Sequence, residues 1–269
     1  MTASLLTELR AGRPQLMLGV RMSRTTDIVR IAASAGYHCV MIDLEHSTMS
    51  VDTAAQLAAA AGDAGLTALV RVPEREYGMI GRVLDGGAHG IIAPRVETAD
   101  QARLLVEACR FPPRGHRSQL TQLPHLGMVP TPFAQLAPPI DASTVVKVLI
   151  ESPRGVANAA AIAAVDGIDI LGVGANDLTC ELGTPGDYGS PAVSDAFATV
   201  LAAANAHDRI AMVGGVPDGE ILAGLLLDGF APMLLAGMDS DLLFRAARER
   251  VASTLAWQSD AAPVAPENR

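Results

Sequence analysis

Short apolar runs alternate along the chain with longer segments in which apolar residues recur at helical spacing. Eight such runs occupy residues 15–21, 38–43, 68–72, 90–94, 145–151, 168–174, 210–214 and 232–237. Segments of helical periodicity separate them, among them Thr26–Ser34, Thr53–Ala64, Ala99–Arg110, Ala157–Ala164 and Asp218–Leu227. Strands buried in a parallel sheet form continuous apolar runs, and helices connect them. The pattern therefore predicts eight successive strand–helix units.

The chain has 269 residues, of which 49% are hydrophobic. Eight strand–helix units in a chain of this length predict an α/β fold, a (β/α)8 TIM barrel, because such barrels use about 250 residues for one domain. We assign residues 1–258 to this single domain. The alternative is an open doubly wound sheet, but no GxGxxG motif follows the first strand. A last helix is predicted at Asp239–Trp257, and the tail at 259–269, rich in Pro and Ala, is predicted to be disordered.

The segment Phe111–Ser143 interrupts the alternation. It is rich in Pro, Gly and polar residues and is longer than most connections between secondary-structure elements. Loops of this length often carry function. Basic groups within it can face an acidic substrate or can simply be solvated; they are Arg114, His116, Arg117 and His125.

Composition excludes several classes of function. The chain has 20 Lys and Arg against 29 Asp and Glu, a net charge of -9, which argues against binding to nucleic acid. No apolar run reaches the roughly 18 residues of a membrane span, and the amino terminus lacks the order of a signal peptide. We therefore expect a cytoplasmic protein whose three cysteines, Cys39, Cys109 and Cys180, are reduced and, lacking metal-site spacing, do not bind metal.

Carboxylates follow two consecutive strands near their carboxyl ends, where barrels place their catalytic groups. Glu151 ends the fifth run and Asp177 follows the sixth. Neighbouring strands are about 4.8 Å apart, so the two side chains can share one hard divalent cation. The alternative is that Asp177 caps a helix and Glu151 is a surface carboxylate.

A histidine and two acidic residues form a candidate proton-transfer group. His46 follows Asp43 by three residues in MIDLEHS, and a carboxylate that orients an imidazole makes it a better base. Asp85 is a possible second partner. The alternatives are a solvated loop histidine and, for Asp85, an ordinary helix end before Gly86.

Arg71 lies inside an apolar strand, where an unpaired guanidinium would cost several kcal/mol. It must therefore face an anion, which can be a substrate oxygen or a carboxylate of the protein. Two glycines of GVGANDL (172–178) precede a predicted helix start. Backbone N–H groups there can hold a carboxylate, although the same sequence also makes a tight turn between strand and helix.

Six motifs occur in the order found in one known family. They are VMIDLEHS, VRVP, VLDGGAHGIIAPRVETADQA, RFPPRGHRS, VLIES and GVGANDL. Together, from Gly19 to about Arg248, they resemble the HpcH/HpaI family of class II, metal-dependent pyruvate aldolases, which act on 4-hydroxy-2-oxo acids. The resemblance implies the barrel fold and a lyase that forms or uses a pyruvate enolate.

The resemblance also implies ligands. Glu151 and Asp177 would bind Mg2+, Mn2+, Co2+ or a similar divalent cation, which would chelate the carboxylate and keto oxygens of pyruvate. The substrate carboxylate would be held by backbone amides of the segment Gly174, Ala175 and Asn176. The partners implied are therefore a 2-oxo acid and an aldehyde.

Catalytic roles follow from the same resemblance. Arg71 would stabilise the enolate oxygen, and His46, with Asp43 and Asp85 behind it, would move protons through water. Charge stabilisation by a metal and a guanidinium needs no lysine Schiff base. The chain has one lysine, Lys147, which lies within a strand.

The chain departs from the family at Leu149, which stands where the family usually has a substrate-contacting glutamine. The leading hypothesis is cleavage of 4-hydroxy-2-oxo acids to pyruvate and an aldehyde, with oxaloacetate decarboxylation as a side activity. A specialised condensing enzyme with a different acceptor is the second hypothesis. The third is a non-catalytic barrel that binds keto acids, although binding alone would not need His46.

Family members typically form hexamers, trimers of dimers that exchange the carboxyl-terminal helix between subunits. An apolar face on the last predicted helix fits such an exchange; it comprises Leu242, Leu243, Ala246 and Val251. The alternative is that this helix covers its own barrel.

Overall fold

A computed structural model describes residues 4–260 and shows eight parallel strands arranged around a central axis. The strands are β1 (Gln15–Val20), β2 (Cys39–Asp43), β3 (Thr67–Arg71), β4 (Gly90–Ala93), β5 (Val145–Ile150), β6 (Ile170–Gly174), β7 (Ile210–Gly214) and β8 (Met233–Met238). They pair in the order β7-β6-β5-β4-β3-β2-β1-β8. Between β7 and β8, the Ala231 N–H donates to the Ala211 carbonyl at 2.8 Å, so the barrel is nearly closed. This order confirms the predicted barrel and excludes the doubly wound sheet.

Each strand lies within about two residues of its predicted run because each is a short, almost wholly apolar segment. Helices connect the strands: α1 (Leu5–Arg10), α2 (Asp27–Ser34), α3 (Val51–Asp63), α4 (Ile80–Asp85), α5 (Ala99–Cys109), α6 (Phe133–Ser143), α7 (Pro153–Ala157), α8 (Ala159–Ala163), α9 (Ala175–Glu181), α10 (Pro191–Ala206), α11 (Gly219–Asp228) and α12 (Asp239–Asp260). The predicted helix Ala157–Ala164 is replaced by two short helices that meet at Asn158.

The core has two parts, as alternation along a barrel strand requires. Side chains that point outward from the strands pack against the helices in one large cluster, represented by Val40, Val70 and Leu171. Side chains that point inward form a second cluster that includes Met41 and Met212. The barrel interior is thus filled mainly by apolar side chains, with the buried Lys147 of β5 among them. The cysteines Cys39 and Cys109 are buried, whereas Cys180 is exposed.

The long segment after α5 differs from the prediction in two respects. Its last third forms helix α6, although Pro138 and Pro139 lie inside it. The segment also joins the end of α5 to the start of β5, so it lies at the amino ends of the strands, away from the catalytic end of a barrel. There Phe111 and Leu123 belong to a small apolar cluster that the segment forms with α6.

The basic residues of this segment face the protein's own acidic or carbonyl groups. Arg117 bonds Asp85, and His125 Nε2 lies 3.0 Å from the Ala88 carbonyl oxygen. His116 and Arg114 form exposed ion pairs with Glu107 and Asp166. The possibility that they face an acidic substrate in the catalytic cavity is therefore wrong for this chain.

Helix α12 begins at Asp239 as predicted and extends three residues farther than expected, to Asp260. Its contacts with the barrel are with β1 and β8. Much of its predicted apolar face is exposed, with Leu243 at 58% and Val251 at 59%, so the helix does not cover its own barrel. The exchange between subunits and the hexamer stay predictions. The remainder of the predicted tail, 261–269, lies outside the described residues.

None of the helices between residues 4 and 260 combines the length and the apolar character that a membrane crossing needs.

Candidate active site

A cavity of about 320 Å3 opens at the carboxyl ends of the strands. This volume is at the lower end of the range of about 300 to 1,000 Å3 that is typical of small-molecule sites. Most of the predicted site residues line it: His46, Arg71, Leu149, Glu151, Gly174, Ala175, Asn176 and Asp177. The structure therefore brings together side chains that the sequence separates by more than a hundred residues.

An ion pair at the ends of β2 and β3 organises one wall of the cavity. Asp43 and Arg71 are register partners on neighbouring strands. Arg71 Nε donates to Asp43 Oδ1 at 3.0 Å, and Nη2 donates to Oδ2 at 2.6 Å. Burial alone would raise the pKa of Asp43, but the hydrogen bonds and charge of Arg71 outweigh it and hold the pKa below its usual value. The internal carboxylate partner predicted for Arg71 is therefore present.

The loop after β2 places His46 at the mouth of the cavity, with its side chain 55% exposed. Asp43 Oδ1 accepts the backbone N–H groups of Glu45 and His46, an arrangement common in Asp-initiated turns. The carboxylate near the imidazole is Glu45, whose Oε2 lies 3.6 Å from His46 Nε2. The predicted contact between the Asp43 carboxylate and the imidazole is therefore wrong: Asp43 fixes the loop backbone and the guanidinium.

Glu45 itself was not among the predicted site residues. Its Oε2 also lies 3.3 Å from Arg71 Nε, so it bridges the guanidinium and the imidazole. Burial, reinforced by the negative charges of Asp43 and Asp177, raises the pKa of Glu45. The sequence signal was its place between Asp43 and His46 at a strand end.

Glu151 follows β5 and is buried against the cavity, with 6% of its surface exposed. Its Oε2 accepts the backbone N–H of Arg95 at 2.8 Å. A Cβ at position 174 would lie 2.2 Å from Glu151 Oε1, so Gly174 makes room for this carboxylate. Burial raises the pKa of Glu151 to about 7, and the neighbouring charges of Asp177 and Glu45 act in the same direction.

Asp177 lies in the first turn of α9, next to Asn176. Asn176 is oriented by Tyr188, whose hydroxyl donates to Asn176 Oδ1 at 2.6 Å. Gly215, after β7, has a φ of 85° and leaves space for the Asn176 amide, since a Cβ there would be 2.9 Å from Nδ2. Neighbouring elements thus fix the start of α9 around Asp177, and neither Tyr188 nor Gly215 was predicted from sequence.

The donor set fits a divalent cation held by two protein ligands. Within residues 4–260 no group of three or more His, Cys, Asp or Glu side chains is arranged to hold a metal. The predicted ligands Glu151 and Asp177 both line the cavity. Burial, and after it the negative charge of Asp177, raises the pKa of Glu151, and a cation between the two carboxylates would offset their repulsion. Two carboxylates with water and substrate completing the shell is a common arrangement for Mg2+.

Asp85 does not lie with the other predicted residues. It is the last residue of α4, a helix that ends at the amino side of the barrel before β4 begins. Its Oδ1 accepts from Arg117 Nε at 3.2 Å and from Nη2 at 2.8 Å. Within one chain, Asp85 therefore lies at the opposite end of the barrel and its carboxylate is not behind His46. Its catalytic role stays a prediction.

A further unpredicted residue, Asp239, fixes the chain beside the cavity mouth. Its carboxylate accepts the backbone N–H groups of Arg21, Met22 and Ser23 after β1. Burial would raise the pKa of Asp239, but these hydrogen bonds lower it below the usual value. The carboxylate thereby ties the start of α12 to the first strand.

Comparison with known proteins agrees with this geometry. The family model described as HpcH/HpaI aldolase/citrate lyase matches residues 16–246. The chain is 39% identical to a 4-hydroxy-4-methyl-2-oxoglutarate aldolase of Hapsidospora irregularis, over 94% of this chain and 95% of that protein. It is 34% identical to a 4-hydroxy-2-oxovalerate aldolase of Novosphingobium aromaticivorans, over 91% and 94%.

A solved structure shows the same fold. The HpcH/HpaI aldolase of Desulfitobacterium hafniense superimposes with a TM-score of 0.86 at 26% identity, covering 97% of this chain and 98% of the other. The match of motifs, barrel and relatives confirms the predicted carbon–carbon lyase class. The chain belongs to the HpcH/HpaI aldolase family.

Proposed function

We propose that this protein is a divalent-metal-dependent aldolase that cleaves 4-hydroxy-2-oxo acids to pyruvate and a carbonyl compound. The observation that carries the proposal is the pairing, in one cavity, of two carboxylates suited to a cation with a guanidinium and an imidazole. The names of the relatives described above support the substrate class.

Glu151 and Asp177 would hold the cation, which is Mg2+, Mn2+, Co2+ or a similar divalent ion. When bound, it would act as a Lewis acid that stabilises negative charge on the 2-oxo oxygen. The backbone of Gly174, Ala175 and Asn176, which lines the same part of the cavity, would bind the substrate carboxylate beside it.

Arg71 would donate a hydrogen bond to the 2-oxo oxygen. Two of its nitrogens are engaged by Asp43 and Glu45, whereas Nη1 has no hydrogen bond to a described residue. The carboxylate partners hold the guanidinium rigid, so no reorganisation is needed as negative charge develops. In this role Arg71 favours the transition state over the bound substrate.

His46 Nε2 would accept the proton of the 4-hydroxyl group, directly or through water. Loss of that proton turns C4 into a carbonyl while the C3–C4 bond breaks and its electron pair passes to C3. Protonation at C3 then yields pyruvate. Glu45, 3.6 Å from Nε2, would stabilise the imidazolium that forms between these two proton transfers.

Pyruvate release from 4-hydroxy-2-oxo acids, followed with lactate dehydrogenase, tests the proposal. We expect release that requires added Mg2+ or Mn2+, that stops with EDTA, and that falls at least about a hundredfold in Asp177→Asn. Asp187→Asn, at an exposed position in the loop after α9, is the matched control and should retain activity. Release that persists without metal would contradict the proposal.

Oxaloacetate should be assayed beside these substrates, because its decarboxylation proceeds through the same enolate. This side activity stays a prediction. The condensing alternative rests on Leu149, which lines the cavity where the family's glutamine is expected. Incubation of pyruvate with an aldehyde or 2-oxo acid tests it. Faster condensation than cleavage for every acceptor tried would favour that alternative.

A further inference from the structure

The chain has one lysine, Lys147, and its side chain lies inside the barrel. Lys147 is on the inner face of β5, lines the catalytic cavity and is 3% exposed. Lysine is almost never buried to this extent without a partner. The proposed mechanism gives this side chain no role, so its burial needs a separate explanation.

The Lys147 ammonium has no counter-ion among the residues around it. Within residues 4–260 it forms no hydrogen bond and no ion pair. Arg71 lies on the same register row two strands away, and it binds the carboxylates of Asp43 and Glu45. The lysine therefore faces a second cation without sharing the carboxylates that balance that cation.

Two other ionisable groups near Lys147 do not balance it either. Burial raises the pKa of the Cys39 thiol to about 12, so this group is neutral. The Glu151 carboxylate accepts the Arg95 N–H, and burial raises its pKa to about 7. Burial and the like charge of Arg71 lower the pKa of Lys147 to about 8, so the side chain is still mostly protonated at pH 7. A buried ammonium without a counter-ion destabilises the fold, and an anion that binds to it removes that cost.

The surroundings of the ammonium restrict the kind of anion that can bind there. Apolar side chains of the inner cluster line the cavity together with Lys147; they are Met17, Met41, Ile92, Leu149 and Met212. These side chains offer no hydrogen-bond donors for the several lone pairs of a carboxylate or a phosphate. A multivalent anion would also lose more hydration energy than a monovalent one. A small monovalent anion needs only the one cationic donor and packs well against polarisable methionine side chains.

We propose that Lys147 binds a small monovalent inorganic anion, such as chloride, in the inner part of the catalytic cavity. The end of the lysine lies beside Gly172 of β6, where an added Cβ would be 2.9 Å from Lys147 Cε. Gly172 is the register partner of Leu149, and Glu151 is the next inward-facing position on the chain after Leu149. The anion therefore lies deeper in the cavity than Glu151, and it needs neither metal nor substrate to bind.

Bromide, a heavier analogue of chloride, is the probe, and gluconate, a bulky monovalent anion, is the control at equal ionic strength. The protein is studied metal-free and without substrate at pH 7. An anion that binds only the folded protein stabilises it. Replacing gluconate by bromide should therefore change the melting temperature by about 2 to 5 °C more, in the stabilising direction, in the wild type than in Lys147→Met. Anomalous scattering from crystals grown in bromide should place the ion in contact with the Lys147 ammonium.

Arg21→Met is the matched control, because Arg21 is a cation that lines the same cavity but already donates to Ser240 Oγ at 2.9 Å. This variant should keep the wild-type response to bromide. In gluconate, Lys147→Met should melt at or above the wild-type temperature, since an uncompensated buried charge is removed. A much lower melting temperature would show that the ammonium is already balanced and would overturn the proposal.

Pyruvate without metal distinguishes an inorganic anion from the carboxylate of a 2-oxo acid. Replacing gluconate by pyruvate should change the melting temperatures of the wild type and Lys147→Met equally. A response to pyruvate that depends on Lys147, with no such response to bromide, would overturn the proposal. Equal bromide responses in the wild type and Lys147→Met, or bromide bound elsewhere in the crystal but not at Lys147, would do the same. Because metal and turnover are absent, these results do not depend on the proposed function.

Discussion

Both ends of the barrel bury charged side chains, but the two ends differ in how these charges are paired. At the amino end Arg110, 3% exposed, donates to the carbonyls of Asp141, Thr144 and Gly167 at 2.6 to 3.2 Å. Arg117 pairs with Asp85 and lies over the Phe111 ring, 4.6 Å from its centroid. Here the charges hold the connecting segments to the barrel.

At the carboxyl end the charges face a cavity and are incompletely balanced. Burial raises the pKa of Glu45 and of Glu151, and the negative charge of Asp177 adds to both shifts. The Lys147 ammonium forms no hydrogen bond or ion pair with residues 4–260. A buried group left without compensation destabilises the fold. The comparison indicates that the amino end is arranged for stability, whereas the carboxyl end keeps unpaired charge ready for a cation and a substrate.

The substitution Glu151→Gln should show the largest difference between the two ends, because it should lower activity without lowering stability. Loss of this predicted metal ligand should lower kcat/KM at least about a thousandfold, equivalent to about 4 kcal/mol. The melting temperature of the metal-free protein should stay the same or rise, because repulsion with Asp177 and Glu45 is removed. Glu181→Gln, which also removes a carboxylate bonded to Arg95, is the control and should keep activity. A strongly lowered melting temperature would show that Glu151 stabilises the fold.

The substitution Arg110→Met, at the amino end, should give the reverse result, which is lower stability with unchanged activity. Loss of a buried cation that bonds three backbone carbonyls should lower the free energy of unfolding by about 3 kcal/mol, and the melting temperature by about 6 to 12 °C. Activity per folded molecule should not change. Chemical denaturation and kinetic assays measure the two effects.

Arg114→Met is the matched control, since Arg114 makes only an exposed ion pair with Asp166, 3.6 Å apart. Such pairs contribute little, so its melting temperature should be near that of the wild type. If Arg110→Met instead impaired catalysis in the folded protein, the division between the two ends would be wrong.

A smaller effect at the amino end depends on pH. Burial, with the nearby His125, lowers the pKa of His89 to about 4, and His89 Nδ1 accepts the Ala68 N–H at 3.1 Å. An unfolded histidine takes up its proton near pH 6.5. The stability contributed by neutral His89 is therefore present above pH 6.5 and is lost as the pH falls towards 4.

Thermal unfolding at pH 7.5 and pH 5.0 measures this loss. Over that pH range the free energy of unfolding should fall by about 1 to 2 kcal/mol less in His89→Asn than in the wild type. His38→Asn is the control, because the exposed His38 accepts an equivalent N–H, from Leu16 at 3.1 Å, and should behave like the wild type. Identical losses in His89→Asn and the wild type would contradict the assignment.

The sequence predicted most of the fold because each strand is a distinct apolar run. Helix α6 was not predicted because Pro138 and Pro139 usually end a helix. In the structure the Asp141 and Thr144 carbonyls at its end are bound by Arg110. That stabilisation depends on tertiary contacts, which local sequence patterns do not contain.

The site was predictable where residue type and strand end coincided, as for Arg71 and Glu151. The position of Asp85 at the other end of its own chain's barrel was not foreseen, because a motif shows the order of residues but not the end of the barrel at which each lies. Its position at the end of a helix, directly before Gly86 and Gly87, was the available signal. The place of Lys147 in the cavity lining was not predicted, because an apolar strand run does not show which side chains point inward.

The burial of the one lysine also has a practical consequence for experiments on the intact protein. Apart from the chain's α-amino group, Lys147 is the only primary amine in the molecule. Reductive methylation with isotope-labelled formaldehyde would therefore add a single side-chain resonance to a magnetic resonance spectrum. That resonance would come from inside the barrel and would report directly on what reaches the cavity floor, with no label introduced by mutation.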